Sequence, residues 1–353
     1  MRIAVIGAGP AGLSSAIKLG KEKHEVIVFE RGLVGENIIC AEGFFDYYGR
    51  IDIELPDKIE IKKLIVQDKE TYEIPLPSKG RFYTFDRKKW QQTLAEKAKS
   101  FGAKIEENTK IGKEDLKNLM KDFDYLIDAS GVKAISHHLF PREDVLKYRK
   151  YLMPSIQYKI SGDFSKFYDT IKVILTNNPP GYFWIFPKRD GNLINFANVG
   201  LGLLSKTSSM PNLRKLLTEM LIKENIKMKE TKTMASPIPT KRLKQYRYKN
   251  IILSGDALGL CSPLHGGGID SAYLSGCYIA KSIIKNDFSI YEKFLKNVDK
   301  RFFIERFFLT LWEKFGSHKI LSRLKNKGLF NERSDNIPLT KSWYLKALVR
   351  LII

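Results

Sequence analysis

The stretch Ile3-Ala4-Val5-Ile6-Gly7-Ala8-Gly9-Pro10-Ala11-Gly12 decides the fold of this 353-residue chain. Four apolar residues read as a short buried strand, and the glycine-rich segment after them as a tight turn. A helical pattern runs on to about Lys21, and a second apolar run, Val26 to Phe29, ends in Glu30. Strand, turn, helix and strand in this order make a βαβ unit with a parallel pair. In Gly7-x-Gly9-x-x-Gly12 the first glycine permits the turn. The second lets a pyrophosphate approach the backbone, and the third lets the helix pack on the strand. The N-terminus of that helix offers free N–H groups and a positive dipole end to phosphate. Glu30 is placed to accept hydrogen bonds from ribose hydroxyls.

The turn alone suits NAD as well as FAD. A second segment decides for FAD. Ile251-Ile252-Leu253 reads as another buried strand, with Gly255-Asp256-Ala257-Leu258-Gly259 at its end. Gly266-Gly267-Gly268 then opens a helix beginning near Ile269 and reaching Ile284. Asp256 suits the ribityl chain or waters on the pyrophosphate. A helix N-terminus at a flavin's N1–C2=O edge stabilises the anionic reduced form.

Between these ends the pattern changes. Ile61 to Pro77 suits a hairpin turning at Asp68-Lys69-Glu70, and Phe82 to Phe85 a strand. Asp86 begins a helix through Ala98, and Phe123 to Asp128 is a further strand. Met153 to Ile160, Ile171 to Leu175, Tyr182 to Phe186 and Leu193 to Val199 are β-rich runs, followed by a helix at Leu213 to Ile222. The expected architecture is α/β. A discontinuous Rossmann-like FAD-binding domain takes residues 1–60, 80–150 and 245–290. An inserted antiparallel-sheet substrate domain takes 61–79 and 151–244, and a helical, basic C-terminal region takes 291–353.

Composition narrows the partners. Sixty Lys+Arg against 39 Asp+Glu make a formal net charge of +21, which favours anionic partners. The basic residues are spread along the chain without a nucleic-acid reader motif, so nucleic acid is not expected. Three cysteines, Cys40, Cys261 and Cys277, are too few for a disulfide framework and fit a reducing interior. Met1-Arg2 leads straight into a strand without a signal-peptide layout, and no apolar run is long enough to span a bilayer. The expected location is cytoplasmic or peripheral on the inner face of the membrane. Trp343-Tyr344-Leu345 and Leu348 to Ile353, with Lys346 and Arg350 interleaved, suit either a membrane interface or a helix packed on the body.

Together Gly7 to Gly12, Glu30-Arg31, Asp86-Arg87, Asp128-x-x-Gly131 and Gly255-Asp256-Ala257 resemble the FAD-binding superfamily of aromatic hydroxylases and related reductases. That resemblance implies a cofactor contact at Arg87. Three further segments resemble the geranylgeranyl reductase family within it. Cys40-Ala41-Glu42-Gly43 is similar to a Cys-Gly-Glu-Gly stretch beside the flavin, with Ala41 in place of the usual glycine. Tyr182-x-Trp184-x-Phe186-Pro187-Lys188, with Gly200-x-Gly202, is similar to the family's lipid-cavity signature. Residues 182, 184 and 186 fall on one side of a strand. Ser262-Pro263-Leu264-His265-Gly266-Gly267-Gly268-Ile269 is similar to the run that follows Gly-Asp, with Gly267, Gly268 and Ile269 where backbone meets the flavin.

The family resemblance implies hydride delivery from reduced FAD to an isoprenoid double bond, on an ether phospholipid or a prenyl diphosphate. Cys40 and His265 are the candidate proton sources. Gly7, Gly9, Ala11, Gly12, Glu30, Arg31, Cys40, Ala41, Gly43, Arg87, Asp256, Gly267, Gly268 and Ile269 are expected at the cofactor. Tyr182, Trp184, Phe186 and Pro187 are expected at the substrate, and no metal is expected. With no second dinucleotide fingerprint, the electron donor is a ferredoxin-like protein or transient NAD(P)H. The rival from the same superfamily is a monooxygenase or halogenase acting on an aromatic substrate. A rival of another class, suggested by the net charge of +21, is a nucleic-acid-binding protein, and a third reading is a flavin-binding module without turnover.

Overall fold

The computed structural model describes residues 1–49, 54–76, 82–205, 210–227, 231–328 and 346–347. The expectation for the segment 343–353 falls, apart from Lys346 and Ala347, outside the described residues, as does Pro77 of the hairpin. The chain folds as two compact units. The first takes Met1–Ile38, Arg87–Leu152 and Ile238–Phe302; the second takes Ile39–Asp86, Met153–Pro237 and Phe303–Ile353.

The first unit is built on a six-stranded sheet. Its order is Arg247–Tyr248, Ile251–Leu253, Tyr125–Asp128, Arg2–Ile6, Glu25–Phe29 and Lys104–Glu106. All pairs are parallel except the edge pair Arg247–Tyr248 with Ile251–Leu253. Ile3, Ala4, Val5, Leu126, Ile127, Ile251, Ile252 and Leu253 are fully buried. Strands covered on both faces read in this way as continuous apolar runs. Helix Pro10–Lys21 lies against helix Ile269–Ile284 at close range. A Cβ at Gly276 would sit 2.0 Å from Ala11 O, and Ser14 Oγ donates to Tyr273 O at 2.7 Å.

The second unit holds a seven-stranded sheet. Its order is Thr231–Ala235, Ser155–Ser161, Leu193–Leu203, Pro180–Asp190, Thr170–Asn177, Lys63–Gln67 and Thr71–Pro75. The pairs are antiparallel except Thr170–Asn177 with Lys63–Gln67, which is parallel. One face carries the apolar core: Ile156, Tyr158, Ile160, Phe183, Ile185, Ala197, Val199 and Leu201 pack with Leu217 and Leu221 of helix Leu213–Lys223. A small sheet of Gly43–Phe45, Phe82–Thr84 and Ile59–Glu60 completes the unit.

This division differs from the sequence-based one. Residues 39–49, 54–60 and 82–86 compact with the large sheet rather than with the nucleotide-type unit, and residues 291–302 join the first unit instead of a separate tail. The reason is hydrogen bonding. The polar groups of residues 40–42 are met by side chains of the large sheet, a pairing that no local sequence pattern reveals.

Candidate active site

The glycine turn of the first unit has the geometry its sequence requires. A Cβ at Gly12 would lie 1.9 Å from Gly7 O, and one at Gly7 would lie 2.5 Å from Ala129 O, so neither position admits a side chain. Gly9 is the contrast: a Cβ built there meets nothing within 4 Å. It is the N-cap of helix Pro10–Lys21, without a side-chain cap. Ala11 is buried beneath the turn against Gly276. The turn therefore packs tightly at its first and third glycines and is open at its second, as a pyrophosphate cradle demands.

Glu30 closes the second strand. Its Oε2 accepts the Ala8 N–H at 2.7 Å and its Oε1 accepts the Gly32 N–H at 3.2 Å. Two acceptor sites are thus used, and a carboxylate has about four. Arg31 is exposed. Arg87 starts helix Arg87–Ser100 and donates from Nε to Gln91 Oε1 at 2.9 Å, while Gln91 Nε2 donates to Ala8 O at 3.2 Å. Gln91 is buried and ties Arg87 to the glycine turn; its position one helical turn after Arg87 was the only sequence signal for it.

Asp256 sits in the turn after strand Ile251–Leu253. Burial pushes its carboxyl above the usual carboxylate range, against the Cys261 thiol and the Arg87 guanidinium, which pull the other way. Cys261 Sγ donates to Asp256 Oδ1 at 3.1 Å. The backbone of this turn is held by two buried side chains. Tyr148 donates its hydroxyl to Asp256 O at 2.8 Å, and His137 Nε2 lies 2.7 Å from Ala257 O. Burial raises the Tyr148 phenol and lowers the His137 imidazole. Neither His137 nor Tyr148 stood out in the sequence, because each reaches the turn across more than a hundred residues.

The loop after Cys261 is compact. Ser262 Oγ accepts the N–H groups of Leu264 and His265, and a Cβ at Gly268 would collide with Cys261 Sγ at 2.6 Å. Gly267 and Gly268 are half-buried and Ile269 is buried at the helix start. His265 is engaged at both ring nitrogens. Arg301 Nη2 lies 3.0 Å from Nε2, and the Gly267 backbone nitrogen lies 3.2 Å from Nδ1. A guanidinium has no acceptor, so Nε2 faces Arg301 as an acceptor. Arg301 thereby anchors the loop through the His265 ring. Arg301 also donates to Asp270 Oδ2 at 2.9 Å, with both side chains almost fully buried.

The remaining expected residues lie in the second unit. Tyr182, Trp184 and Phe186 share one face of strand Pro180–Asp190, with ring centroids 5.7 and 6.4 Å apart along the row. This is the face opposite the apolar core, whose residues on the same strand are Phe183 and Ile185. Burial raises the Tyr182 phenol. Gly200-x-Gly202 forms the bed of the indole: a Cβ at Gly200 would lie 2.3 Å from Trp184 Cζ2, and one at Gly202 3.3 Å from Cζ3. Pro187 alternates to the other face, with Ala197 as its register partner, so it is not part of the aromatic row. Cys40 is half-buried, and its Sγ accepts the Glu42 N–H at 3.2 Å. Ala41 and Gly43 follow in the same segment, and Gly43 backs onto the Phe186 ring, where a Cβ would lie 2.4 Å from Cε2.

Comparison with known proteins places these features. Digeranylgeranylglycerophospholipid reductase 1 of Methanococcoides burtonii is 31% identical over 94% of this chain and 84% of its own. The chain belongs to the digeranylgeranylglycerophospholipid reductase family. The digeranylgeranylglycerophospholipid reductase of Methanocaldococcus jannaschii is 26% identical over 95% of this chain and 88% of its own. Within the family frame, a geranylgeranyl reductase catalytic-domain profile matches residues 149–238, and a pyridine nucleotide-disulphide oxidoreductase profile matches residues 1–149.

Among solved structures, a geranylgeranyl bacteriochlorophyll reductase-like protein from Thermoplasma acidophilum has a TM-score of 0.72 at 22% identity, over 99% of this chain and 95% of its own. A flavin-dependent halogenase has a TM-score of 0.65 at 14% identity, over 99% of this chain and 77% of its own. These two likenesses concern the fold. The protein is an FAD-dependent oxidoreductase. The open approach at Gly9, the closed packing at Gly7 and Gly12, and the electrostatic influence of Arg87 on Asp256 fit that cofactor.

Proposed function

We propose that this reductase saturates the C=C bonds of geranylgeranyl chains on an archaeal-type ether phospholipid, with a prenyl diphosphate as the second substrate class to test. The observation that carries the reading is the aromatic row Tyr182, Trp184 and Phe186 on the non-core face of the sheet, inside the segment matched by the geranylgeranyl reductase catalytic-domain profile. The names of the family relatives support the lipid head group.

When bound, FAD supplies the hydride equivalent for the alkene. Gly7, Gly9 and Gly12 would hold its pyrophosphate, Glu30 its ribose, and Arg87 and Asp256 its central part. An isolated alkene has no carbonyl to polarise, so the protein must orient it and exclude water. The aromatic row provides an apolar wall for an isoprenoid chain. Cys40 is the proposed proton source for the second alkene carbon, being half-buried and next to the Phe186 end of the row through Gly43. The electron donor is proposed to be a ferredoxin-like protein or NAD(P)H. Among the described residues no helix is long and apolar enough to cross a membrane. The net charge of +21 supports peripheral contact with an anionic lipid surface.

The test is anaerobic. The reduced protein is mixed separately with geranylgeranyl diphosphate and with an unsaturated ether phospholipid, and products are read by mass spectrometry. The expected result is flavin reoxidation with two hydrogens gained per double bond in the phospholipid. Reoxidation only by oxygen and a phenolic substrate would move the protein to the monooxygenase class.

A further inference from the structure

The Cys40–Gly43 segment is held residue by residue from the aromatic face of the large sheet. Gln157 Nε2 donates to Cys40 O at 2.7 Å. Asn198 Nδ2 donates to Ala41 O at 3.0 Å and to Glu42 Oε2 at 2.8 Å. Lys188 Nζ pairs with Glu42 Oε2 at 2.9 Å and also donates to Phe85 O. Gly43 rests on the Phe186 ring. Strand register puts Gln157 opposite Gly200, Trp184 opposite Gly200, and Phe186 opposite Asn198. Directly opposed residues of an antiparallel pair share a face, so the donors stand in the same array as the aromatic row. Glu42 itself has φ +60°, a left-handed backbone that is uncommon for a non-glycine residue.

These side chains are poor choices for stability alone. Gln157 and Asn198 are 3% and 1% exposed, and Gln157 Oε1 and Asn198 Oδ1 accept no hydrogen bond from the protein. A buried acceptor without a donor is destabilising, and an apolar side chain of similar size would avoid that cost. What the amides provide is direction: two N–H groups aimed at consecutive carbonyls.

We propose that Gln157, Asn198 and Lys188 are positioning residues that clamp the Cys40–Gly43 segment and so fix the Cys40 thiol beside the aromatic row. Their effect on turnover rests on the proton-donor role given to Cys40 above; the clamp itself does not.

The experiment uses the full-length, FAD-loaded protein and the variants Gln157→Leu and Asn198→Leu, with Lys188→Met as a third and Lys188→Arg as its conservative control. The first readout is the rate of alkylation of each cysteine by iodoacetamide, followed by peptide mass spectrometry. Cys261, which is buried, and Cys277, whose thiol burial pushes up to about 11, are internal comparators. The clamp predicts that Cys40 alkylation rises about fivefold in Gln157→Leu and Asn198→Leu, roughly the factor one ordinary hydrogen bond contributes to a local equilibrium. Cys261, Cys277 and FAD content stay as they were, the melting temperature of the leucine variants does not fall, and Lys188→Arg restores the slow rate lost in Lys188→Met. A Cys40 rate that is unchanged or lower in both leucine variants overturns the clamp. The second readout is kcat, expected to fall with KM little altered. Faster alkylation with full kcat keeps the clamp and removes the proton-donor role of Cys40 instead.

Discussion

Replacing Gly9 by Val separates cofactor binding from folding, because the structure gives this glycine no neighbour to offend. A Cβ there meets nothing within 4 Å, and the backbone, at φ −78° and ψ −177°, is extended and open to any residue. Two small effects oppose each other in the protein without cofactor. Loss of glycine at a helix N-cap costs about 0.5–1 kcal/mol, and the stiffer unfolded chain returns about 0.4–1 kcal/mol. The melting temperature of the cofactor-free variant should therefore stay within a few degrees of the parent.

The side chain would stand where a pyrophosphate must approach the turn. Loss of two charge-assisted hydrogen bonds, at about 1.5–3 kcal/mol each, weakens FAD by roughly 10²–10⁴-fold. Gly12→Ala is the counterpart. Its Cβ would lie 1.9 Å from Gly7 O, so it should impair folding itself. The assay is thermal melting of both cofactor-free variants, then titration of flavin fluorescence quenching. Stoichiometric FAD bound by Gly9→Val at the parental Kd would refute the assignment of this turn to the pyrophosphate.

Trp184→Ala removes the centre of the aromatic row and should lower turnover of long isoprenoids at least tenfold, while a large buried aromatic lost costs about 3–5 kcal/mol of stability; full activity on a geranylgeranyl lipid would exclude the row as the substrate wall. Arg301→Met strips the buried Asp270 carboxylate of its partner and should destabilise by about 3–5 kcal/mol, with Asp270→Asn in the same chain recovering part of the loss in a denaturant melt. His137 is lowered from its ordinary 6.5 mainly by burial, so the unfolded chain takes up a proton before the folded one does. Stability should therefore fall as pH drops below about 6.5, and His137→Asn should flatten that slope in melts between pH 5 and pH 8; an unaltered slope would remove His137 as its source.

Much of the first unit was legible in the chain itself. Strands covered on both faces leave continuous apolar runs, and a turn that must admit a pyrophosphate leaves glycines at fixed spacing. These are local demands, and local sequence states them in Gly7, Gly9, Gly12, Glu30 and Gly255-Asp256. The aromatic row was legible too, since alternation along one strand puts residues 182, 184 and 186 on one side. Which side that is could not be read, because a strand's sequence does not say which face the helix Leu213–Lys223 will cover. Only the folded sheet assigned Phe183 and Ile185 to the core.

The same limit explains the residues that were missed. Gln91, His137, Tyr148, Gln157 and Asn198 act through hydrogen bonds to backbone atoms distant in sequence, several of them more than a hundred residues away. Such bonds need a direction and a distance, and a lone polar residue in an apolar strand specifies neither. The fold class, the cofactor and the family were set by short-range geometry written into the chain. The grouping of residues 39–49 with the large sheet, and the anchoring of His265 by Arg301, were decided only when tertiary structure brought distant donors and acceptors within 3 Å or so of each other.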